Sequence, residues 1–139
     1  MFCWCNTQPH ELNSLANVTL VNAAVGAEKG SIPFVLHAYS TRCHVADQRT
    51  ADTVDVPCTT LDLALQECGL DHVDLMKIDA EGHERAVLQG ATAALGRTKR
   101  LVIEVHRNHD EQKRWVESFL SPLGFRVVDS DRSLLYLER

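Results

Sequence analysis

The hydrophobic pattern is clearest in the middle of the chain, where it changes from strand to helix and back to strand. Residues 73–79 form a short apolar run that ends in a carboxylate, which predicts a buried parallel strand. Helical spacing then predicts one helix that ends near Gly96, with an inward face of Glu84, Val87, Leu88, Ala91, Ala94 and Leu95. Residues 101–106 form a second apolar run. Strand, helix and strand with short joints predict a βαβ unit with a right-handed crossover.

Ionisable side chains lie at the carboxyl ends of these two strands: Asp79, Glu81, Glu104 and His106. Because open α/β sheets bind ligands at this edge, we expect a site here. Lys77 and Asp79 share one face of the first strand, so they form either a structural ion pair or part of the site. We favour the second interpretation, because the other ionisable groups converge at the same place. His106 either belongs to the site or only caps its strand. His83, at the helix start, could accept a proton.

The preceding residues predict mainly strands. Residues 17–25 and 31–37 are rich in β-formers, residues 38–52 are polar and predict a loop, and residues 53–56 predict a strand that Pro57 ends. A short helix follows, capped by Thr59 or Thr60, with Asp62 in its first turn and Gly69 after its end.

The C-terminal part predicts one helix and a hairpin. Asn108 or Asp110 caps the helix, and its apolar stripe is typical of core packing rather than of a binding face. Residues 125–128 and 134–137 predict an antiparallel hairpin. With no repeat or linker, residues 1–139 are expected to form a single domain.

Composition narrows the possible partners and location. The net charge is −5 and no basic cluster occurs, which argues against nucleic acid or an anionic membrane as partner. Five cysteines without a C-x-x-C pair indicate reduced thiols. The N-terminus has neither a basic segment nor a long apolar one, so we expect no signal peptide, no membrane span and a cytoplasmic location. The P-loop, G-x-G-x-x-G, G-x-S-x-G and H-E-x-x-H motifs are absent from the sequence.

Several sequence blocks together resemble the FkbM family of methyltransferases. The block K-I-D-A-E-G-H-E at residues 77–84 is followed by V-L-Q-G-A at 87–91 and I-E-V-H at 103–106. The blocks T-L-D at 60–62 and N-V-T-L-V-N-A-A-V-G at 17–26 precede it. The resemblance implies an α/β, Rossmann-like class I methyltransferase fold that binds S-adenosylmethionine and methylates mostly hydroxyl groups of small molecules or sugars.

The sequence departs from that family at its N-terminal end. Members begin with a strand and a glycine-rich loop for the methionine part of the cofactor, and no such segment occurs among these 139 residues. We therefore expect a fold that is incomplete at the N-terminus, with Cys5 where the family has an acid for the ribose. The missing first strand would neighbour residues 73–79. An open strand edge recruits other strands, so we expect either pairing with residues 17–25 or self-association.

The resemblance also assigns roles. Asn22 and Ala23 would flank the adenine, Asp79 would position the cofactor or the acceptor, and Glu81 or His106 would remove the acceptor proton. This interpretation needs no metal ligand. Two alternatives remain: a non-catalytic interaction module of the same fold, and a divalent-metal enzyme whose ligands would be Asp79, Glu81, Glu104 and His106.

Overall fold

The structure, a computed structural model, describes residues 16–35, 44–46, 48–106 and 108–139, whose strands form two four-stranded sheets. The first sheet has the order β1-β4-β2-β3 and consists of β1 (Ala24–Val25), β2 (Gly30–Val35), β3 (His44–Val45) and β4 (Thr53–Thr59). The second has the order β5-β6-β8-β7 and consists of β5 (Val73–Asp79), β6 (Thr98–Glu104), β7 (Arg126–Ser130) and β8 (Leu134–Glu138). The α/β class is thus confirmed, while the Rossmann-like arrangement stays a prediction.

The helices lie between these strands as the sequence predicted, with one exception. They are α1 (Leu61–Glu67), α2 (Glu84–Gln89), α3 (Thr92–Gly96) and α4 (His109–Leu120), the last followed by a 3-10 turn at Ser121–Leu123. Thr60 caps α1 by accepting a hydrogen bond from the Leu63 amide at 3.2 Å. The prediction of a single helix over residues 84–95 is wrong, because the helix is interrupted between α2 and α3.

The break is explained by a close contact with the first sheet. A Cβ atom on Gly90 would lie 2.1 Å from the carbonyl oxygen of Gly26, so only glycine allows this approach. The Asp62 amide donates to the Gly90 carbonyl at 3.2 Å, and the Asp62 carboxylate accepts from the amides of Ala93 (3.1 Å) and Ala94 (2.7 Å). Asp62 therefore caps α3 as well as opening α1, which ties the helices to the end of β1.

The second sheet carries the predicted βαβ unit. β5 and β6 pair in parallel over their length, with Asp79 opposite Glu104, and α2 and α3 form the crossover. β8 adds antiparallel to β6, and β7 to β8, which confirms the terminal hairpin. The main core joins this sheet to α2, α3 and α4; fully buried members include Leu88, Leu95, Leu101, Ile103, Leu120 and Leu135. The α4 stripe packs against this core, as predicted.

Three predictions for the first sheet need correction. Of residues 17–25 only Ala24–Val25 form a strand, and that strand pairs with β4, so the expected pairing with β5 is wrong. β4 continues through Pro57, because a proline loses a donor in a ladder but keeps an extended φ. His44–Val45, inside the predicted loop, pairs with β2. Residues 36–43 and 47 of the predicted strand and loop lie outside the described residues, as does Cys5.

No helix in the described part of the chain is both long enough and apolar enough to cross a membrane.

We expect Gly90→Ala to destabilise the fold by about 1–3 kcal/mol, the usual cost of forcing extra atoms into a packed site. Gly96→Ala is the matched control, since nothing lies within 4 Å of the added methyl group. Urea unfolding of both variants measures the difference. Equal midpoints would contradict the close approach of Gly90 to Gly26.

The open edge of β5 generates a second prediction. Within the described residues β5 pairs on one side only, and Leu75 is 57% exposed on it. We propose that this edge mediates self-association, because unpaired backbone groups on an apolar strand recruit another chain. Amide exchange along β5 should slow as protein concentration rises, while exchange along β7, the other edge, should not. Fast exchange along the open edge of β5 in a well-folded protein, unchanged at high concentration, would contradict this.

Candidate functional site

The parallel pairing of β5 and β6 brings the predicted charged residues together. The Lys77 ammonium donates to Asp79 Oδ2 at 2.9 Å and lies 3.7 Å from Glu104 Oε2. Burial by itself raises the pKa of Asp79, but the hydrogen bond and positive charge of Lys77, together with the charge of His106, lower that pKa below its usual range. Asp79 is therefore an ionised carboxylate at neutral pH, and its side chain is only 22% exposed.

The turn after β5 directs a second carboxylate toward the same place. Glu81 has a φ of +50° and Gly82 a φ of +98°, so both lie in the left-handed region. For a non-glycine residue this conformation costs about 1–3 kcal/mol and is found disproportionately at functional sites. Glu81 Oε2 lies 3.6 Å from His106 Nε2, and Asp79 Oδ1 lies 3.8 Å from the same nitrogen. One ring nitrogen of His106 thus faces two carboxylates.

The other ring nitrogen of His106 contacts a buried carboxylate that the sequence analysis assigned only to the helix face. Nδ1 of His106 lies 2.8 Å from Glu84 Oε1, and Glu84 is 2% exposed. The same oxygen accepts a hydrogen bond from the Gly82 amide at 2.9 Å. A signal was available: Glu84 is the one charged member of an otherwise apolar inward face, and a buried carboxylate needs a partner.

These contacts determine the protonation of His106. Burial lowers its pKa, but the hydrogen bond with Glu84 and the charges of Glu84, Glu81 and Asp79 outweigh burial and raise that pKa above the usual range. The ring is 24% exposed at the side chain, so Nε2 remains within reach of a bound molecule. His106 can therefore hold a proton at Nε2, and the carboxylates of Asp79 and Glu81 can place negative charge beside a bound cation.

The structure sorts the predicted residues into two groups. Asp79, Glu81 and His106 come together, and Glu104 joins them through Lys77. The ring of His83 packs beside Gly26: its Nε2 lies 3.4 Å from where a Cβ on Gly26 would be, and burial lowers its pKa. Asn22 and Ala23 precede β1, and within the described residues no hydrogen bond or ion pair connects their side chains to the cluster.

The possible metal ligands are fewer than the sequence suggested. Asp79, Glu81 and His106 each offer one ligand atom, and these atoms lie within 4.8 Å of one another. Glu104 is not part of this group, because it faces Lys77 instead. Three such side chains could hold a divalent cation, although carboxylates and a histidine also satisfy one another by sharing protons.

Other groups in the described residues that could carry chemistry lie outside the cluster. Nδ1 of His109 lies 2.8 Å from the Arg132 carbonyl oxygen. Cys58 and Cys68 are free thiols, and burial raises the pKa of Cys58. An open cavity at the start of α4 is lined by residues of both charges, and its lining includes none of the clustered side chains.

Comparison with known proteins gives the family. A family model for the methyltransferase FkbM domain matches residues 2–127. The chain is 43% identical over 80 residues to the AMB antimetabolite synthetase AmbE of Pseudomonas aeruginosa; the match covers 54% of the chain and 4% of that much longer protein. No solved structure matches the chain. Because the match to the family model spans most of the sequence, including the cluster, the chain belongs to the FkbM methyltransferase family.

Proposed function

We propose that this domain transfers a methyl group from S-adenosylmethionine to a hydroxyl group of a small molecule or sugar. The single observation that carries the proposal is the convergence of Asp79, Glu81 and His106 in a chain of the FkbM family. The proposal includes a Rossmann-like class I arrangement of the complete fold and a cytoplasmic location, for which the free thiols Cys58 and Cys68 are suitable.

The chemistry of the cluster fits this cofactor. S-adenosylmethionine supplies an electrophilic methyl group on a positively charged sulfur, and the carboxylates of Asp79, Glu81 and Glu104 suit a cation. Just before β1, Asn22 is exposed and Ala23 is half-buried, so that an adenine ring could pack against them. We assign Asn22, Ala23 and Asp79 to cofactor binding on this basis.

The side chains divide the work of the reaction. Asp79 is held by Lys77 at 2.9 Å, so it has a defined direction and can position a ligand hydroxyl or the cofactor. Glu81 or His106 removes the acceptor proton as the new carbon–oxygen bond forms, while the carbon–sulfur bond breaks and its electron pair returns to sulfur. Both groups lie within 4 Å of each other, so one bound hydroxyl could reach either.

The similarity to part of an antimetabolite synthetase supports a small-molecule acceptor. Because the chain spans only 4% of that protein, the activity and products of the whole synthetase are not transferred to it.

We expect the 139-residue chain by itself to bind S-adenosylmethionine weakly or undetectably in calorimetry. The sequence contains no glycine-rich segment for the methionine part, and each lost hydrogen bond removes about 0.5–1.5 kcal/mol. Adenosine, which lacks the methionine part, is the control ligand and should bind about as well. Micromolar binding of S-adenosylmethionine to this chain would contradict the expectation, whether or not adenosine binds as well.

Asp79→Asn should lower methyl transfer by on the order of 10²-fold or more in an active form of the domain, because misplacing a reacting group costs that much. Asp74→Asn is the matched control: Asp74 lies on the same strand and pairs with Lys99 at 2.6 Å, but at the opposite end. Transfer of radiolabelled methyl groups to a panel of hydroxylated compounds measures both variants. Equal losses in two folded variants would remove Asp79 from the site, and a folded domain inactive on every acceptor would favour the non-catalytic alternative.

A further inference from the structure

Glu84 has a property that packing alone does not require. It is a carboxylate with 2% exposure at the first residue of α2, on the face that packs into the core. A buried charge is costly unless it is paired and hydrogen-bonded, and both partners of Glu84 Oε1 belong to the site region: the Gly82 amide and His106 Nδ1.

The geometry fixes the orientation of the His106 ring. Beside a carboxylate in its ionised form, which only accepts hydrogen bonds, the Nδ1 atom of His106 would carry the hydrogen of the 2.8 Å contact with Glu84. In the neutral ring Nε2 is then the atom without a hydrogen. That atom is the one that faces Asp79 and Glu81, at 3.8 and 3.6 Å.

We propose that Glu84 is the positioning residue of this site and that it makes His106, rather than Glu81, the proton acceptor. The inference rests on the proposed function and chooses between the two bases left open there. The acceptor O–H gives its proton to Nε2 of the neutral ring as the carbon–oxygen bond forms and the carbon–sulfur bond breaks. Glu84 then stabilises the resulting imidazolium through Nδ1–H, as a buried carboxylate does for histidine in other enzymes.

Three carboxylates on different segments face the His106 ring, two at Nε2 and one at Nδ1. Asp79 at the end of β5 and Glu81 in the following turn face Nε2, while Glu84 of α2 faces Nδ1. Beside them, Lys77 pairs with both Asp79 and Glu104. Glu84 is the most buried of the three carboxylates, with a side chain 3% exposed against 22% for Asp79 and 47% for Glu81. It is therefore the least screened by water.

The first test observes the ring directly and needs no activity. Histidine-selective ¹⁵N NMR of the 139-residue chain, with His106→Asn for assignment, should give the Nδ1–H form of neutral His106. Its titration midpoint should lie above that of an ordinary histidine, and Glu84→Gln should lower the midpoint by removing the negative charge beside the ring. Glu138→Gln is the matched control, because Glu138 also pairs with a cation, Arg126, but at the far end of β8.

Three results of this test would overturn the proposal. They are an Nε2–H form in the wild-type chain, an unchanged midpoint in folded Glu84→Gln, and a titration that changes when a chelator is added, which would mean that Nε2 holds a metal ion. The first and third use the wild-type chain, so they decide even if Glu84→Gln fails to fold.

The second test joins the ring to the reaction. Methyl transfer needs neutral His106, so its rate should rise with pH through the raised pKa of this residue. In Glu84→Gln that rise should move to lower pH, and the plateau rate should fall by about 10²-fold or more, because the neutral amide no longer stabilises the imidazolium; the equivalent Asp→Asn change behind the histidine of a serine protease costs about 10⁴-fold. A merely structural Glu84 would lower the unfolding temperature and leave the pH profile of the folded fraction unchanged, which would overturn the proposal. Loss of transfer from every form, wild type included, would remove the proposed function, while the NMR result would still decide whether Glu84 positions the ring.

Discussion

The parallel pairing of β5 and β6 is the constraint on which the rest of this structure depends. Because the two strands run in the same direction, their carboxyl ends meet, and Asp79 lies opposite Glu104. Parallel neighbours require a crossover, and the crossover begins at Glu84. The strand pairing therefore places Asp79, the turn at Glu81, the start of α2 and the residue after β6, His106, within one small region.

The two helices of the crossover are too short to be stable by themselves, and contacts with neighbouring segments stabilise them. Helices as short as α2 and α3 are unstable in isolation. Gly90 meets the end of β1, and the Asp62 carboxylate caps α3, so both short helices are fastened at the point where they join. This junction anchors the C-terminal end of α2, the helix whose first residue is Glu84.

Charge in the cluster is arranged in two layers. Lys77 neutralises the exposed side of Asp79 and Glu104, while His106 lies between the exposed carboxylates and the buried Glu84. Such an arrangement allows several carboxylates to lie close together, because each has a cationic or proton-sharing neighbour. It also leaves the cluster with negative charge available to a bound cation, which is the property that the proposed cofactor would use.

The sequence by itself determined the elements with strong periodicity and the composition of the site. The apolar runs predicted β5 and β6, the spacing after Thr60 predicted α1, and alternation predicted the terminal hairpin, because each of these signals is local. The motif around residues 77–84 and the E-V-H block indicated the family, and Asp79, Glu81 and His106 were named from their places at strand ends.

Tertiary structure decided what depends on contacts between distant segments. It broke the predicted helix at Gly90, reduced residues 17–25 to a two-residue strand, and carried β4 through Pro57. It also packed His83 beside Gly26 and gave Glu84 a partner 22 positions along the chain. Periodicity reports only which face of an element is buried. Which atoms meet there is set by packing between segments, and for Glu84 that packing turned a position on a helix face into part of the site.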